Sequence, residues 1–372
     1  MKIEELQNKK ILIVGYGMEG KATEEFLKLS IPNLNYAIAD VSQGEDYLQN
    51  QHEFDIAIRS PSVNKKILTI PHTTSTNIFF ANLTEHITIG VTGTKGKSTT
   101  ASLIAHILKS SGKEAKVVGN IGNPLITELL HKPPEKTIYV CELSSYQLDD
   151  IQYSPHISVI VSLFPDHLNY HGSLEAYFNA KKNLILHAKP EDYYVYNPTF
   201  PLLADWVKET QAEAKSYETD FIPKSPLLGQ HNKDNMRAAI TVCRLFDITD
   251  AEIQNAVSIF TPLPHRLEFV GTFNKITFYD DAISTTPEST MAALQSIPNV
   301  KTIFLGGENR GYNVADLVQM LKNLQVENIV LFPDSGDAIK EELKKEKEYK
   351  PEILKTQDME KAVQFAYAHT PE

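Results

Sequence analysis

The ten residues Val91–Thr100, VTGTKGKSTT, constrain this chain more than any other segment. The apolar run ITIG leads into them and reads as a buried strand, and Ser98–Ser110 after them reads as a helix. A glycine-rich turn between a strand and a helix N-terminus is an arrangement that cradles phosphate. The glycines let backbone N–H groups turn inward, and the helix end adds partial positive charge. On this reading Gly93, Thr94, Lys95 and Gly96 form the turn, with Thr99 beside it. Lys97 brings a point charge to the β- and γ-phosphates, and the Ser98 hydroxyl is placed to ligate Mg²⁺. The pattern departs from the usual one at one position: Val91 stands where a glycine normally opens the loop.

A chain of 372 residues at about 100–200 per domain suggests two or three domains. Its 42% apolar and 22% charged residues are ordinary for a globular protein. The formal net charge of -11 repels nucleic acid and anionic membranes, so neither is expected as a partner. It also means that a phosphorylated substrate needs local positive charge. Two cysteines, Cys141 and Cys243, build no disulfide framework, which fits a reducing compartment. The N-terminus has no signal-peptide core, and no apolar run is long enough to span a bilayer. The expected location is the cytoplasm.

Short β runs alternate with amphipathic stretches throughout. Ile11–Val14, Asn35–Asp40 and Phe54–Arg59 read as strands, and Lys21–Leu29 as a helix. The first segment ends near Asn82. Thr137–Glu142 and Ser158–Ser162 are further strands of a second unit. Lys215–Ser225 reads as a polar connection, and GQHNKDNMRAAITVCRLF as a helix. A third unit opens with LPHRLEFV and carries strands at Ile276–Asp280, Thr302–Leu305 and Asn328–Phe332, with a helix at Met359–Ala368. The expected domains are 1–84, 85–262 and 263–372, all α/β.

TGTKGKSTT resembles the ATP loop of the Mur ligases and their folylpolyglutamate synthase relatives. CELSSYQLDD, FPDHLNYHGSLEAYFNAKKNLI, GQHNKDNMRAA and LPHRLE resemble further motifs of that family, in the same order. ELSSYQL together with YGMEGKA points to the branch that adds glutamate to UDP-N-acetylmuramoyl-L-alanine. Folylpolyglutamate synthases lack the Rossmann-like first segment read here. The resemblance implies a Rossmann-like UDP-binding domain, a P-loop-type ATP-binding central domain and a Rossmann-like C-terminal domain. It implies an ATP-dependent ligase of peptidoglycan precursor synthesis, acting as a monomer through an acyl phosphate, with two Mg²⁺ ions. Its substrates would be ATP, UDP-N-acetylmuramoyl-L-alanine and glutamate of either hand, the D form being expected.

Residue by residue, the resemblance implies that Ser98 and Glu142 ligate one Mg²⁺, and that His167 ligates the second together with Lys181. Lys181 would carry a carbamate, which turns a cation into an anionic ligand; its spacing from Tyr177 selects it over Lys182. Asn232 and Asn235, three apart on one helix, would touch the adenine side. Arg266 would contact the nucleotide and Asp281 the ribose. In the first segment, GYGMEG after a strand is by itself a weak dinucleotide signal, and NAD is the rival ligand. The resemblance assigns it to UDP, with Gly15, Gly17, Met18 and Gly20 at the diphosphate and Asp40 and Ser60 at the ribose or uracil. Asn120, Ser284, Thr285 and Arg310 complete the implied substrate contacts, Arg310 gripping a glutamate carboxylate. Ile283 replaces a lysine that glutamate-adding members often carry. The family's Ser-Pro-rich final stretch has no counterpart, so the glutamate pocket is expected to be incomplete. A Mur-like nucleotide-binding protein with impaired ligase activity is the alternative.

Overall fold

Among the described residues, three parallel sheets and one antiparallel hairpin carry the fold. The computed structural model describes residues 1–83, 85–130, 136–217 and 219–371. The first sheet holds β1 (Lys10–Val14), β2 (Asn35–Ala39), β3 (Ile56–Arg59) and β4 (His72–Thr74) in the order β2-β1-β3-β4. Helix α1 (Met18–Ser30) follows β1 and α2 (Ser75–Asn82) follows β4. Ile11, Ile13, Ile56 and Ile58 bury their side chains against Phe26 and Leu27 of α1, the burial expected of strands covered on both faces. The chain crosses from β1 to β2 on one side and then back past β1 to β3 on the other. The crevice at their carboxyl ends is therefore a topological switch point, where α/β sheets bind ligands.

The second sheet has six parallel strands: β5 (Thr88–Thr92), β6 (Ala115–Gly119), β7 (Ile138–Glu142), β8 (Ile157–Ile160), β9 (Tyr193–Tyr196) and β10 (Glu213–Ser216). Their order is β10-β9-β8-β5-β7-β6, which puts a second switch point at β5. Its helices are α3 (Lys97–Ser110), α4 (Ser145–Leu148), α5 (Leu168–His171), α6 (Leu174–Leu186), α7 (Pro201–Asp205), α8 (Gln230–Arg244) and α9 (Asp250–Ser258). The Ser144 hydroxyl caps α4 and the Ser173 hydroxyl caps α6 by accepting from the first-turn N–H groups.

The antiparallel pair is β11 (Glu268–Phe273) and β12 (Ile276–Asp280). The third parallel sheet is β13 (Thr302–Gly307), β14 (Asn328–Asp334) and β15 (Glu352–Lys355). Helices α10 (Pro287–Ser296), α11 (Ala315–Asn323), α12 (Ser335–Leu343) and α13 (Met359–His369) accompany it. Leu317, Val318 and Leu321 of α11 pack there with Ile329 and Leu331. By contacts the chain forms two compact units. One is Met1–Lys224 with Lys233–Phe260, and the other is Ser225–Asn232 with Thr261–Glu372. Among the described residues no helix is long and apolar enough to cross a membrane.

The structure corrects the sequence reading in places. Helix α1 starts at Met18 rather than Lys21, because Gly17 already takes the N-cap position. Lys215 and Ser216 end strand β10 rather than opening a connection. That strand lies at a sheet edge and pairs on one side only, so its polar residues tolerate solvent.

Within the first unit, a buried cation ties the end of β3 to the segment after α4 and to α5. Arg59 has a fully buried side chain at the end of β3. Its Nε and Nη2 donate to the two carboxylate oxygens of Asp150, at 3.0 and 2.6 Å. Its Nη1 donates to the Val63 carbonyl at 2.8 Å and to the Tyr170 hydroxyl at 3.3 Å. Removing one partner of such a pair strands the other in a dry site, at a cost of about 3–5 kcal/mol. Arg59→Met is therefore expected to lower the unfolding free energy by about that amount in urea melts. A change within about 0.5 kcal/mol, the range of ordinary surface substitutions, would show that the pair holds nothing together.

Candidate active site

The loop between β5 and α3 is built by its own sequence and its neighbours. Gly96 takes φ of +87° at the N-cap of α3, and a Cβ there would collide with the Asn235 amide oxygen; only glycine fits. The Thr94 N–H donates to the Ser162 carbonyl at 2.9 Å, and the Lys95 N–H to Ser162 Oγ at 2.9 Å. The Thr94 hydroxyl donates to the Phe164 carbonyl at 3.0 Å and accepts from the Tyr177 hydroxyl at 3.1 Å. These bonds fix the turn to the segment after β8. Ser98 and Thr99 are buried in the first turn of α3.

Two lysines meet on this loop. Lys97 Nζ donates to the carbonyls of Gly93 at 3.0 Å and Thr94 at 3.1 Å. Lys181, buried on α6, donates Nζ to the same Gly93 carbonyl at 2.9 Å and lies 4.8 Å from the Tyr177 ring centre. Burial pushes the Lys181 ammonium well below its ordinary range, and the neighbouring Lys97 charge pushes the same way. A lowered folded-state value means that the unfolded chain binds more protons between that value and 10.5. Stability from this site therefore rises with pH across the window and is lost as pH falls through it. In bicarbonate-free buffer, Lys181→Met is expected to flatten the rise of Tm with pH; parallel curves for the two proteins would show that the buried ammonium carries no penalty.

Glu142 ends β7 and is buried. Its Oε1 accepts from the Asn120 side-chain amide at 2.9 Å, and its carbonyl accepts from the Asn120 N–H. Its Oε2 is buried with no hydrogen-bond partner. An unmatched carboxylate oxygen costs free energy in a dry site, and hard oxygen donors of this kind suit a divalent cation. His167 stands at the N-cap of α5 in the left-handed region, φ +51°. Its Nδ1 lies 3.0 Å from the Tyr146 hydroxyl, and its backbone N–H donates to Asp166. Burial lowers the His167 pKa below its ordinary range, opposed by Asp166. The structure thus brings the phosphate loop, Lys97 and Lys181 together, with Asp166 and His167 close enough to act on their charges.

On α8, Asn235 is buried and its Oδ1 accepts from the Thr100 hydroxyl at 3.3 Å. The Asn232 side-chain amide donates to the Leu228 carbonyl at 2.7 Å. In the second unit, Asp281 accepts from the Leu267 N–H at 3.0 Å and from the Ser284 hydroxyl. Burial raises its carboxyl above the ordinary range, while the Arg266 charge pulls it down. Ser284 is thus engaged by Asp281, Thr285 is exposed, and Arg310 pairs with Glu308 at 3.0 Å on the surface.

At the first switch point, Gly15 donates its N–H to the Ala39 carbonyl, and the Ser60 hydroxyl donates to the Gly15 carbonyl at 2.7 Å. A Cβ on Gly20 would collide with that carbonyl oxygen, which explains the third glycine of GYGMEG. Gly17 and Met18 are exposed at the start of α1. The Asp40 carboxylate accepts from the N–H groups of Tyr16 at 2.6 Å and Ser42 at 3.0 Å, which hold it below the ordinary carboxyl range. Sequence reasoning missed Glu19, whose carboxylate accepts from Ser75 Oγ at 2.7 Å and Gln147 Nε2 at 2.9 Å. Burial pushes its carboxyl up. An acid inside a glycine-rich turn next to a helix start was the available signal. Sequence reasoning also missed a group in the second unit, His265 with Glu268 and Asp280, whose ligand-type atoms lie within 4.8 Å of one another.

Known proteins resemble this chain over most of its length. The family model of the Mur ligase middle domain matches residues 91–221, and that of the Mur ligase glutamate ligase domain matches residues 265–372. A protein of Oenococcus oeni named UDP-N-acetylmuramoylalanine--D-glutamate ligase is 31% identical over 354 residues, covering 86% of this chain and 80% of that one. A protein of Xanthomonas euvesicatoria named UDP-N-acetylmuramoyl-L-alanine--L-glutamate ligase is 29% identical, covering 91% of this chain and 83% of that one. Among solved structures, the MurF ligase of Thermotoga maritima in complex with ADP superposes with a TM-score of 0.64 at 16% identity, covering 99% of this chain and 90% of that one. The two family models together span more than half of the sequence, and a relative above 30% identity matches most of it: the chain belongs to the Mur ligase family.

Proposed function

We propose that this chain joins glutamate to UDP-N-acetylmuramoyl-L-alanine at the expense of ATP, in the cytoplasm, as a step of peptidoglycan precursor synthesis. The proposed division of labour is residues 1–84 for the sugar nucleotide, 85–262 for ATP and 263–372 for glutamate. The observation that carries the reading is the buried Lys181 amine on the carbonyl of the phosphate loop. A second cation beside Lys97 in a dry site is electrostatically unfavourable. Burial biases the amine toward the neutral form, the one that captures CO₂, and the resulting carbamate would turn repulsion between the two lysines into attraction.

In the proposed reaction the alanyl carboxylate takes the γ-phosphoryl group of ATP, giving an acyl phosphate and ADP. The glutamate amine adds to the acyl carbon, and the tetrahedral species expels phosphate. Lys97 and the loop N–H groups would offset charge on the transferred group. Ser98 and Glu142 would hold one Mg²⁺, and His167 with carbamylated Lys181 a second; the unmatched Glu142 Oε2 supports the first site. Bound Mg²⁺ would supply Lewis-acid neutralisation of the crowded phosphate oxygens. Asn232 and Asn235 would meet the adenine, Arg266 the nucleotide phosphates and Asp281 the ribose. Gly15, Gly17, Met18 and Gly20 would meet the UDP diphosphate, and Asp40 and Ser60 the uridine. Asn120 would steady Glu142 beside the substrate, and Arg310, Ser284 and Thr285 would receive glutamate.

D-glutamate is the proposed enantiomer, since a relative above 30% identity over most of the chain is named for it. The L-glutamate reading is supported by the Xanthomonas relative, which covers more of the chain at 29% identity. Calorimetry on the whole chain tests the first-domain assignment. UDP-N-acetylmuramoyl-L-alanine is expected to bind and NAD not; tight NAD binding without sugar-nucleotide binding would overturn it.

A further inference from the structure

Tyr146 and Gln147 are consecutive residues of α4, and each is tied to a different part of the molecule. Gln147 is held by Glu19 at the start of α1. Tyr146 reaches the other way: its hydroxyl lies 3.0 Å from His167 Nδ1, and its ring centre is 5.0 Å from that of His167. Its ring also packs edge-on against Tyr170 at 4.5 Å. The His167 side chain is 44% exposed, with its ring against Tyr146 on one side and 6.1 Å from the ring of Tyr177. A neutral imidazole has one donor nitrogen and one acceptor nitrogen, and the partner of one decides the role of the other. The Asp166 carboxylate lies 3.7 Å from Nδ1 and favours a proton there. The Tyr146 oxygen is then the acceptor, and Nε2 is left with its lone pair.

We propose that Tyr146 is a positioning residue that fixes His167 in the Nδ1–H tautomer, so that Nε2 is presented to a divalent cation. The proposal rests on the reading of His167 as a metal ligand. It adds to that reading the group that sets the ring's orientation and protonation pattern. Partners of this kind are worth about 10–100-fold in metal affinity.

Two measurements on the full chain test it. The first is long-range ¹H–¹⁵N correlation of histidine-labelled, metal-free protein, with the His167 signals assigned by their loss in His167→Ala. Wild type is expected to show protonated Nδ1, and Tyr146→Phe a mixture of tautomers; protonated Nε2 in wild type, or an unchanged pattern in Tyr146→Phe, overturns the proposal. The second is Mn²⁺ binding by electron paramagnetic resonance with saturating ADP and bicarbonate. His167→Ala is expected to remove one class of sites. Tyr146→Phe is expected to weaken the same class about tenfold or more, with Tm unchanged. Loss of a class in His167→Ala with wild-type binding in Tyr146→Phe overturns the role of Tyr146 alone. Wild-type binding in His167→Ala overturns the ligand reading, and the tautomer proposal falls with it.

Discussion

Lys97→Ala is expected to cut ATP turnover about 10³-fold or more, the scale seen when a charge on a transferring phosphoryl group is removed. The loop should survive the change. Gly96 and the bonds of Thr94 and Lys95 to Ser162 shape it independently of the Lys97 side chain. The fold and the sugar-nucleotide affinity are therefore expected to stay near wild type while kcat collapses. ATP turnover that persists near wild type in the presence of all substrates would remove the loop from the account.

Lys181→Ala is expected to lose activity on a similar scale, about 10³-fold, or roughly 4 kcal/mol of transition-state stabilisation. The reason differs. Lys181 is buried with its amine already biased toward the neutral form, and a carbamate there would supply an anionic oxygen. Acetate is expected to restore part of the activity of Lys181→Ala by occupying the vacated space. Bicarbonate is expected to stimulate wild type and not the variant. Lys182 is the internal control: its amine pairs with Glu209 at 2.9 Å, away from the loop. An inactive Lys182→Ala beside an active Lys181→Ala would move the modification by one residue.

The phosphate loop and the strand carrying Glu142 were legible because each is a local pattern, a turn of glycines and an apolar run, whereas Lys181 was singled out by the family resemblance and its spacing from Tyr177. The meeting of Lys97 and Lys181 on the Gly93 carbonyl was not legible. The Lys181 contact spans 88 residues, and nothing in the local sequence states it. Arg59 shows the same limit more sharply. It closes an apolar strand, IAIR, and its carboxylate partner Asp150 lies 91 residues away, which no local pattern states. Strand β10, EAKS, escaped because an edge strand needs no apolar alternation. Strand β11 escaped too, since Phe269 and Phe273 are exposed and it follows no core pattern, whereas its partner β12 lies at Ile276–Asp280 as read from the sequence.

Phosphate release, measured with ATP, UDP-N-acetylmuramoyl-L-alanine and each glutamate enantiomer, and with each component omitted in turn, tests the central claim most directly. The account predicts release that requires all three substrates, favours D-glutamate and yields one amide product per phosphate. Release that is indifferent to the sugar nucleotide or to glutamate, or none with either enantiomer while ATP and the sugar nucleotide both bind, would contradict it.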